Sequence, residues 1–241
     1  MSLPKEFWDC YLPARRVALR SLRPYHKARE QAIDLADLPV GAKVLDAGCG
    51  TGELIKKLLS TATDVEQVMG LERSGAGIRL AKEDLCMPNV HFFQVDLNTV
   101  HALDGIVGNE CVFCMDVLYE LKRPHNFLRA ANRWLKPGGM LIVLNPWKAD
   151  LTPVLEAQED WMASDPMLEK QRRAEYERDR WGRETALFMN RYIIDQAGDM
   201  QNHFWTADEL ADAVSGAGFD VLTIDSSAYA GVSVLLSAIK R

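Results

Sequence analysis

The sequence lacks the long apolar runs of a membrane span and any excess of positive charge. Its longest uncharged apolar stretches, such as Met140–Leu144 and Val232–Ile239, fall far short of the roughly 20 residues that a spanning helix needs. The 241 residues carry 28 Lys and Arg against 34 Asp and Glu, a formal net charge of −6. This negative net charge disfavours a protein that binds nucleic acid mainly through contacts with its phosphates. The first residues lack an apolar signal core, so we expect a soluble cytoplasmic protein without a membrane partner.

Cysteine is scarce and does not form a metal-ligand array. The chain has 5 cysteines, and two of them, Cys111 and Cys114, fall inside the apolar run CVFCM, which predicts a buried strand. Residues three apart in a strand point to opposite faces, so these thiols cannot easily share a metal ion or a disulfide. We interpret both as core residues and expect no metal site.

Strand and helix patterns alternate over residues 40–147, which favours a parallel sheet with helices on both faces. Hydrophobic residues make up 48% of the chain and supply ample material for a core. The predicted strands are Lys43–Ala47, Gln67–Leu71, Val90–Val95, Cys111–Met115 and Met140–Leu144. The predicted helices are Glu53–Ser60, Ser74–Leu85 and Pro124–Trp134, the last followed by a turn at Leu135–Gly139.

The end of the chain, residues 206–241, breaks this alternation. Thr206–Ala217 is predicted as a helix, because Thr206 and Glu209 have the spacing of a capping box. Phe219–Asp225 and Val232–Ile239 are then predicted as two strands of an antiparallel hairpin at the sheet edge. The fold class is therefore α/β, a doubly wound, mostly parallel seven-stranded sheet with an antiparallel C-terminal hairpin.

Two segments lie outside this core pattern. Residues 1–39, here named the N-terminal cap, are basic and helix-prone. Residues 148–205, here named the lid insertion, are too long for a simple connection and are predicted to be helical. An insertion at the C-terminal edge of an open sheet lies where a lid would sit. Its arginines alternate with acids, a pattern typical of a solvated helix with i,i+4 ion pairs and not of an anion site; they are Arg172, Arg173, Arg178, Arg180 and Arg183.

The strongest functional signal is the segment VLDAGCGTG, Val44–Gly52. A strand delivers Asp46, and then Gly48, Gly50 and Gly52 form a tight loop before a helix. The N-terminus of that helix offers unpaired N–H groups and the positive end of the helix dipole. Alone, the glycine pattern fits any nucleotide-binding α/β domain.

Two acidic residues at strand ends sharpen this signal. Glu72 ends the second strand twenty residues past Gly52, where a carboxylate can accept both hydroxyls of an adenosine ribose. Asp96 ends the third strand, well placed to accept from an adenine amino group, with Leu97 beside it. Read in order, VLDAGCGTG, GLERS, QVDL, CVFCMDVLYEL and LKPGGMLIV resemble the class I S-adenosylmethionine-dependent methyltransferases, in the branch of ubiquinone, menaquinone and small-molecule methyltransferases.

The resemblance implies a Rossmann-like fold and S-adenosyl-L-methionine as cofactor, with S-adenosyl-L-homocysteine as product. It implies that the glycine loop passes the methionine moiety and the ribose, and that Asp46 anchors this loop or receives the amino group. It further implies that Asp116 lies beside the transferable methyl group. The predicted cofactor-binding set is Asp46, Gly48, Gly50, Gly52, Glu72, Arg73, Asp96, Leu97 and Asp116.

The substrate side is predicted from weaker signals. The segment MDVLYEL lacks the D/N-P-P-Y/F motif of enzymes that methylate nucleobases or exocyclic amides, so these substrates are disfavoured. A phenol, enol or amine acceptor can need a base. The predicted catalytic residues are His203 and Tyr119, with His125, His26 and Glu120 as further candidate bases. The predicted substrate-binding residues are the aromatic side chains Trp147, Tyr192 and Tyr25, with Tyr11 as a further aromatic face.

These observations favour methyl transfer to an O, N or C nucleophile of a small molecule. The aromatic and Met residues of the lid insertion lean this towards an aromatic or quinone-like acceptor. An NAD-dependent oxidoreductase fits less well, because its G-x-G-x-x-G loop has the third glycine one place later. A non-catalytic domain, acting as a cofactor sensor or a partner subunit, stays open because cofactor residues say nothing about turnover. The oligomeric state is not predicted.

Overall fold

A twisted sheet forms the centre of the computed structural model, which describes residues 5–61, 64–102, 106–148, 150–195 and 203–241. Within these residues the strands are β1 (Ala42–Ala47), β2 (Val65–Glu72), β3 (Val90–Gln94), β4 (Asn109–Met115), β5 (Leu135–Pro146), β6 (Phe219–Asp225) and β7 (Ser233–Lys240). They pair in the order β3-β2-β1-β4-β5-β7-β6. The pairs from β3 to β5 are parallel, and β7 runs antiparallel to both β5 and β6.

Helices cover this sheet and the edge where its parallel strands end. They are α1 (Lys5–Leu19), α2 (Arg23–Ala36), α3 (Glu53–Thr61), α4 (Gly75–Asp84), α5 (Pro124–Trp134), α6 (Thr152–Ala163), α7 (Glu169–Arg178), α8 (Arg180–Asp195) and α9 (Ala207–Gly216). In the part of the chain that the structure describes, none of the helices has both the length and the apolar character of a bilayer span.

Successive residues of a strand point to opposite faces, and both faces of this sheet are buried. Val44 of β1 packs in a cluster with Ala32 of α2 and Ile55 of α3. The next residue, Leu45, packs in a second cluster with Phe127 of α5. Burial on both faces explains why the strands are nearly continuous apolar runs without clean alternation. Cys111 and Cys114 lie within β4 and are fully buried, as predicted for core residues.

The predicted fold class is confirmed, and the structure refines its strand bounds. Asn109 pairs with Leu135 while Cys111 pairs with Met140, so residues 136–139 bulge out of the ladder as the predicted turn. Backbone pairing therefore begins five residues before the predicted strand at Met140. The capping box at Thr206 is present, with its hydroxyl accepting from the Glu209 N–H and the Glu209 carboxylate accepting from the Thr206 N–H. The predicted hairpin is also present, with β6 as the edge strand.

The N-terminal cap and the lid insertion meet through α1 and α8. The Tyr11 hydroxyl, midway along α1, donates to Asn190 Oδ1 at 2.6 Å. Towards its C-terminal end, α1 passes so close to Gly182 that a Cβ there would lie 2.6 Å from Val17. The two helices therefore run in opposite directions, in contact along most of the length of α1. The segment boundaries at residues 39, 148 and 205 stay a prediction.

The close approach at Gly182 generates a stability prediction. We expect Gly182→Ala to lower the free energy of unfolding by about 1–3 kcal/mol, because the added methyl overlaps Val17 and approaches the Ala14 carbonyl oxygen at 3.1 Å. The matched control is Gly216→Ala in α9, where an added Cβ meets no atom within 4 Å and helix propensity favours alanine by up to ~1 kcal/mol. Urea unfolding measures both. Equal effects of the two substitutions would contradict close packing of α1 on α8.

Candidate functional site

A cavity lies at the C-terminal edge of the parallel strands, beneath the N-terminal cap and the lid insertion. The carboxyl ends of adjacent parallel strands meet at one edge, where loops can surround a ligand. The strand-end residues on its wall are Gly48, Gly50, Glu72, Arg73, Val95, Asp96, Leu97, Asn98, Met115, Asp116, Val117, Tyr119, Glu120 and Leu121. The helices α1, α6 and α8 supply most of the opposite wall.

The glycine loop after β1 has the backbone conformation that the sequence predicts. Gly48, Gly50 and Gly52 all have positive φ, at 86°, 56° and 84°. The N–H of Gly48 donates to the Leu71 carbonyl oxygen at 2.7 Å, which ties the loop to β2. A Cβ on Gly48 would lie 2.2 Å from Val117 Cγ2, so the loop after β4 also requires glycine here. Gly48 and Gly50 line the cavity, whereas Gly52 packs beneath it.

Glu72 holds this loop and the start of α4 together. One of its carboxylate oxygens accepts from the Gly50 N–H at 3.1 Å, and the other accepts from the Ser74 N–H at 2.8 Å. The side chain is buried, and burial raises the pKa of the carboxyl. Each oxygen keeps a further lone pair, and the residue lines the cavity. Glu72 therefore has the acceptor capacity that its predicted ribose contact requires.

Asp46 lies behind the glycine loop and not on the cavity wall. It is 2% exposed, and its Oδ2 has no hydrogen-bond partner among the described residues. Burial raises the pKa of this carboxyl to about 7. A buried oxygen without a partner is costly, and because Asp46 does not line the cavity, its predicted contact with the cofactor's amino group stays a prediction.

Asp96 and its neighbours form the far end of the cofactor side. Asp96 Oδ1 accepts from the N–H and the side-chain amide of Asn98, both at 2.9 Å, and the residue remains exposed at the wall. Val95 and Leu97 provide apolar surface on either side of it. An exposed carboxylate between two apolar side chains supports the predicted adenine contact, which stays a prediction.

A polar group lies on the wall between the two ends of the cavity, and it consists of Arg73, Glu120 and Tyr119. Arg73 Nη2 lies 2.9 Å from Glu120 Oε2, and its guanidinium lies 4.2 Å from the Trp8 ring centroid. Burial raises the pKa of Glu120 to about 7 despite this cation. Burial also raises the pKa of the Tyr119 hydroxyl well above its usual range, so that hydroxyl stays protonated. Of these two candidate bases, only the carboxylate titrates near neutral pH.

Asp116 joins the loop after β4 to the N-terminal cap. Its φ is +58°, a conformation that few residues other than glycine adopt. Its Oδ2 lies 2.9 Å from Arg15 Nη2 and 3.8 Å from Arg29 Nη2. Strained conformations of this kind collect at functional sites, because the surrounding contacts must hold them. Arg15 itself lines the cavity, a role that the sequence motifs did not show.

The structure does not bring four of the predicted catalytic and substrate-binding side chains to the cavity wall. His203 packs against Trp205, which is one reason that burial lowers the pKa of its imidazole. Trp147 packs against the core beneath α9. Tyr25 is buried with the Arg29 guanidinium 3.1 Å from its ring centroid. Tyr192 stacks on Phe7 outside the cavity wall and is half exposed to solvent.

The N-terminal cap contributes more of the wall than the sequence analysis identified. One face of α1 lines the cavity with Trp8, Tyr11, Leu12, Arg15, Ala18 and Leu19, followed by Leu22. These positions recur at intervals of three and four residues, the period of one helix face. That period is the sequence signal that could have found them, because a charged Arg15 on an otherwise apolar face is unusual.

Comparison with known proteins adds the family. Residues 19–224 match the model of a family described as a methyltransferase domain. A ubiquinone biosynthesis O-methyltransferase of Xanthomonas oryzae pv. oryzae is 30% identical over 155 residues, 59% of this chain and 56% of that protein. A 2-phytyl-1,4-naphtoquinone methyltransferase of Thermosynechococcus vestitus is 27% identical over 140 residues, 57% and 60% of the two chains. The chain thus spans less than two thirds of the length of the curated relatives that it matches.

Solved structures share the fold at low identity. The complex between the Haloferax volcanii Trm112 methyltransferase activator and the putative methyltransferase matches with a TM-score of 0.66 and 17% identity, covering 98% and 96% of the chains. The N-methyltransferase NodS of Bradyrhizobium japonicum, with S-adenosyl-L-homocysteine, has a TM-score of 0.61 and 11% identity, covering 96% and 98%. The [4+2]-cyclase SpnF has a TM-score of 0.57 and 18% identity, covering 90% and 81%.

The family match resolves the choice between cofactors that the glycine loop alone left open. It extends over most of the chain and includes strands β1 to β5 and all but the last residue of β6. An NAD-dependent oxidoreductase is therefore set aside, and the predicted cofactor, S-adenosyl-L-methionine, is confirmed as that of the family. The chain belongs to the class I S-adenosylmethionine-dependent methyltransferases.

Proposed function

We propose that this protein transfers a methyl group from S-adenosyl-L-methionine to an O, N or C nucleophile of a small molecule. The observation that carries the proposal is that one cavity is lined both by seven of the nine predicted cofactor residues and by a group of apolar side chains. Gly48, Gly50, Glu72 and Asp96 line one end of it. Helices of the N-terminal cap and the lid insertion roof the other end. A donor and an acceptor bound in this cavity are held in contact, and such positioning supplies much of the rate.

The residues of the cofactor end match the groups of S-adenosyl-L-methionine. The Gly48 and Gly50 backbone allows close approach of the methionine moiety, and Glu72 offers two carboxylate oxygens to the ribose hydroxyls. Asp96 accepts from the adenine amino group between Val95 and Leu97. When bound, the cofactor supplies an electrophilic methyl carbon whose bond to sulfur breaks with the electron pair leaving on sulfur.

The acceptor end suits a small apolar molecule. Its side chains include Leu19 and Leu22 of the N-terminal cap region and Leu151, Val154 and Leu155 of the lid insertion. Apolar side chains from two segments on one wall favour a small molecule over a protein substrate. Of the relatives reported above, one is named for ubiquinone biosynthesis and the other as a methyltransferase of a naphthoquinone, which agrees with an aromatic or quinone-like acceptor.

Glu120 is placed to receive the acceptor's proton. As an acceptor oxygen or nitrogen forms its new bond to the methyl carbon, its O–H or N–H bond gives up the proton to the Glu120 carboxylate. Arg73 fixes that carboxylate by an ion pair at 2.9 Å, and Tyr119 on the same wall orients the acceptor by its hydroxyl. His203, the base that the sequence analysis favoured over Glu120, does not line the cavity and stays a prediction.

Use of the cofactor without methyl transfer is the main alternative. SpnF shares this fold and is described as a [4+2]-cyclase, so the fold alone does not require a methyltransferase. Formation of S-adenosyl-L-homocysteine on incubation with hydroxylated aromatic acceptors distinguishes the two. Product formation supports methyl transfer, and tight cofactor binding with no turnover over the whole acceptor panel would favour the sensor or cyclase alternative.

Glu72→Gln tests the cofactor end. We expect the Kd for S-adenosyl-L-methionine and S-adenosyl-L-homocysteine to rise at least tenfold, because glutamine presents an NH2 group where a backbone N–H and a ribose hydroxyl both need an acceptor. Calorimetry measures both ligands beside NAD. The control is Glu66→Gln, an exposed acid on the same strand that pairs with Lys43. Unchanged affinity in Glu72→Gln, or wild-type preference for NAD, would sink the proposal.

Glu120→Gln tests the proton acceptor. With a raised pKa of about 7, the Glu120 carboxylate forms as pH rises through 7, so wild-type kcat/KM should rise tenfold per unit below pH 7 and level off above it. Glu120→Gln should lose this step and fall by roughly 10²–10⁴-fold. Glu159→Gln, an exposed acid of α6, is the control. If the step persists in Glu120→Gln and disappears in His203→Gln, His203 is the base and Glu120 is not.

A further inference from the structure

The charged residues on the cavity wall divide into two neutral pairs and two unpaired sets. The pairs are Arg15 with Asp116 and Arg73 with Glu120, each at 2.9 Å. The remaining acids, Glu72 and Asp96, lie at the cofactor end. The remaining cations are Arg183 and Lys148, and they lie on the wall with the apolar residues of the acceptor end. The free charge therefore changes sign from one end of the cavity to the other.

Arg183 is buried and has no acidic partner among the described residues. It is 6% exposed, and no carboxylate oxygen of the described chain lies within 4 Å of its guanidinium. One of its N–H groups donates to the Tyr176 carbonyl oxygen, and its guanidinium carbon lies 3.4 Å from the Tyr176 ring centroid. These contacts hold the side chain between α7 and α8 but leave its charge uncompensated.

The neighbouring arginines behave as the sequence pattern predicts. Arg173 pairs with Glu169 and Arg180 pairs with Glu184, each four residues apart at 2.8 Å and exposed to solvent. The expectation of solvated i,i+4 ion pairs is therefore right for these two, whereas Arg183 is buried and forms no such pair among the described residues. The pattern fails there because α8 turns Arg183 towards the cavity, between Gly182 against α1 and Ala186 on the wall.

A buried guanidinium without a counter-ion is unfavourable, and arginine cannot relieve this by losing its proton. The usual solution is a charge-assisted contact with a carboxylate or phosphate, whose planar or tetrahedral oxygens match the guanidinium fork. Lys148, the second free cation on this wall, is exposed with its amine 4.0 Å from the Trp147 ring centroid. Its positive charge adds to that of Arg183 on the same wall.

The residues around Arg183 indicate the chemical character of the rest of the ligand. The ring of Tyr176, which the guanidinium covers, packs against a cluster that contains Leu19, Leu22 and Val154. These three residues also line the cavity. A ligand that fills this end therefore meets one buried cation in an apolar wall, which suits an apolar or aromatic body with a single anionic group.

We propose that the methyl acceptor is an anion, an apolar or aromatic molecule whose carboxylate or phosphate binds Arg183 with help from Lys148. The inference rests on the proposed function, because it takes the molecule bound here to be the one that receives the methyl group. It adds the chemical class of that molecule. The cofactor's own carboxylate is the competing partner of Arg183. Saturating the protein with S-adenosyl-L-homocysteine, which carries the same carboxylate, distinguishes this partner from the acceptor.

The test compares anions with neutral analogues on the full chain saturated with S-adenosyl-L-homocysteine. Binding of benzoate and phenyl phosphate is measured by NMR titration beside benzamide and phenol. We expect wild type to bind at least one anion at least tenfold more tightly than its neutral analogue, and which anion is preferred identifies the group. Arg183→Met should abolish this preference, Arg183→Lys should keep part of it, and the control Arg180→Met should keep all of it.

The outcomes separate this inference from the proposed function. Absence of an anion preference in wild type, or its persistence in Arg183→Met, overturns the inference. So does a weakened affinity of Arg183→Met for S-adenosyl-L-homocysteine, because Arg183 would then bind the cofactor. A purely structural role would lower stability and leave the ratio of anion to neutral binding unchanged. Failure to form methylated product while this ratio depends on Arg183 would sink only the proposed function.

Discussion

The geometry of the site depends on one carboxylate whose two oxygens each accept a hydrogen bond from a backbone N–H. Glu72 accepts from the Gly50 N–H and from the Ser74 N–H, and so fixes the glycine loop relative to the start of α4. Three positive-φ glycines give that loop its shape, but they also leave it free to take others. The buried clamp removes this freedom before a ligand arrives, so the cost of ordering the loop belongs to folding and not to binding.

Charge is distributed around this clamp in a consistent way. Where two opposite charges meet at the wall, they are paired; Arg15 with Asp116 joins the N-terminal cap to the core, and Arg73 with Glu120 joins the ends of β2 and β4. Charges left unpaired are acids at the cofactor end and cations at the acceptor end. A cationic donor and an anionic acceptor would each meet the sign that suits it, and the two would attract each other across the point of transfer.

The sheet and the cofactor loop could be predicted because each depends on short-range signals. Apolar runs, the glycines of Gly48–Gly52 and the Thr206 capping box act within a few residues of themselves. The acceptor end could not be predicted in this way. The sequence around Arg183 fits a solvated helix, and that around Trp147 fits an aromatic side chain at a strand end. Only the packing of α8 and β5 decides that Arg183 lines the cavity and that Trp147 does not. Arg15 was likewise hidden, because its partner Asp116 lies 101 residues away.

The helix α1 extends over both halves of the cavity, and this has a kinetic consequence. Trp8 packs on Arg73 between the two ends of the cavity, while Leu19 lines the acceptor end, and α8 contacts the same helix at Tyr11 and through Gly182. Movement of α1 as one body would uncover both compartments together. Under the proposed function, departure of the methylated product and of the spent nucleoside would then be coupled to a single opening event, and that opening would limit turnover in place of the chemical step.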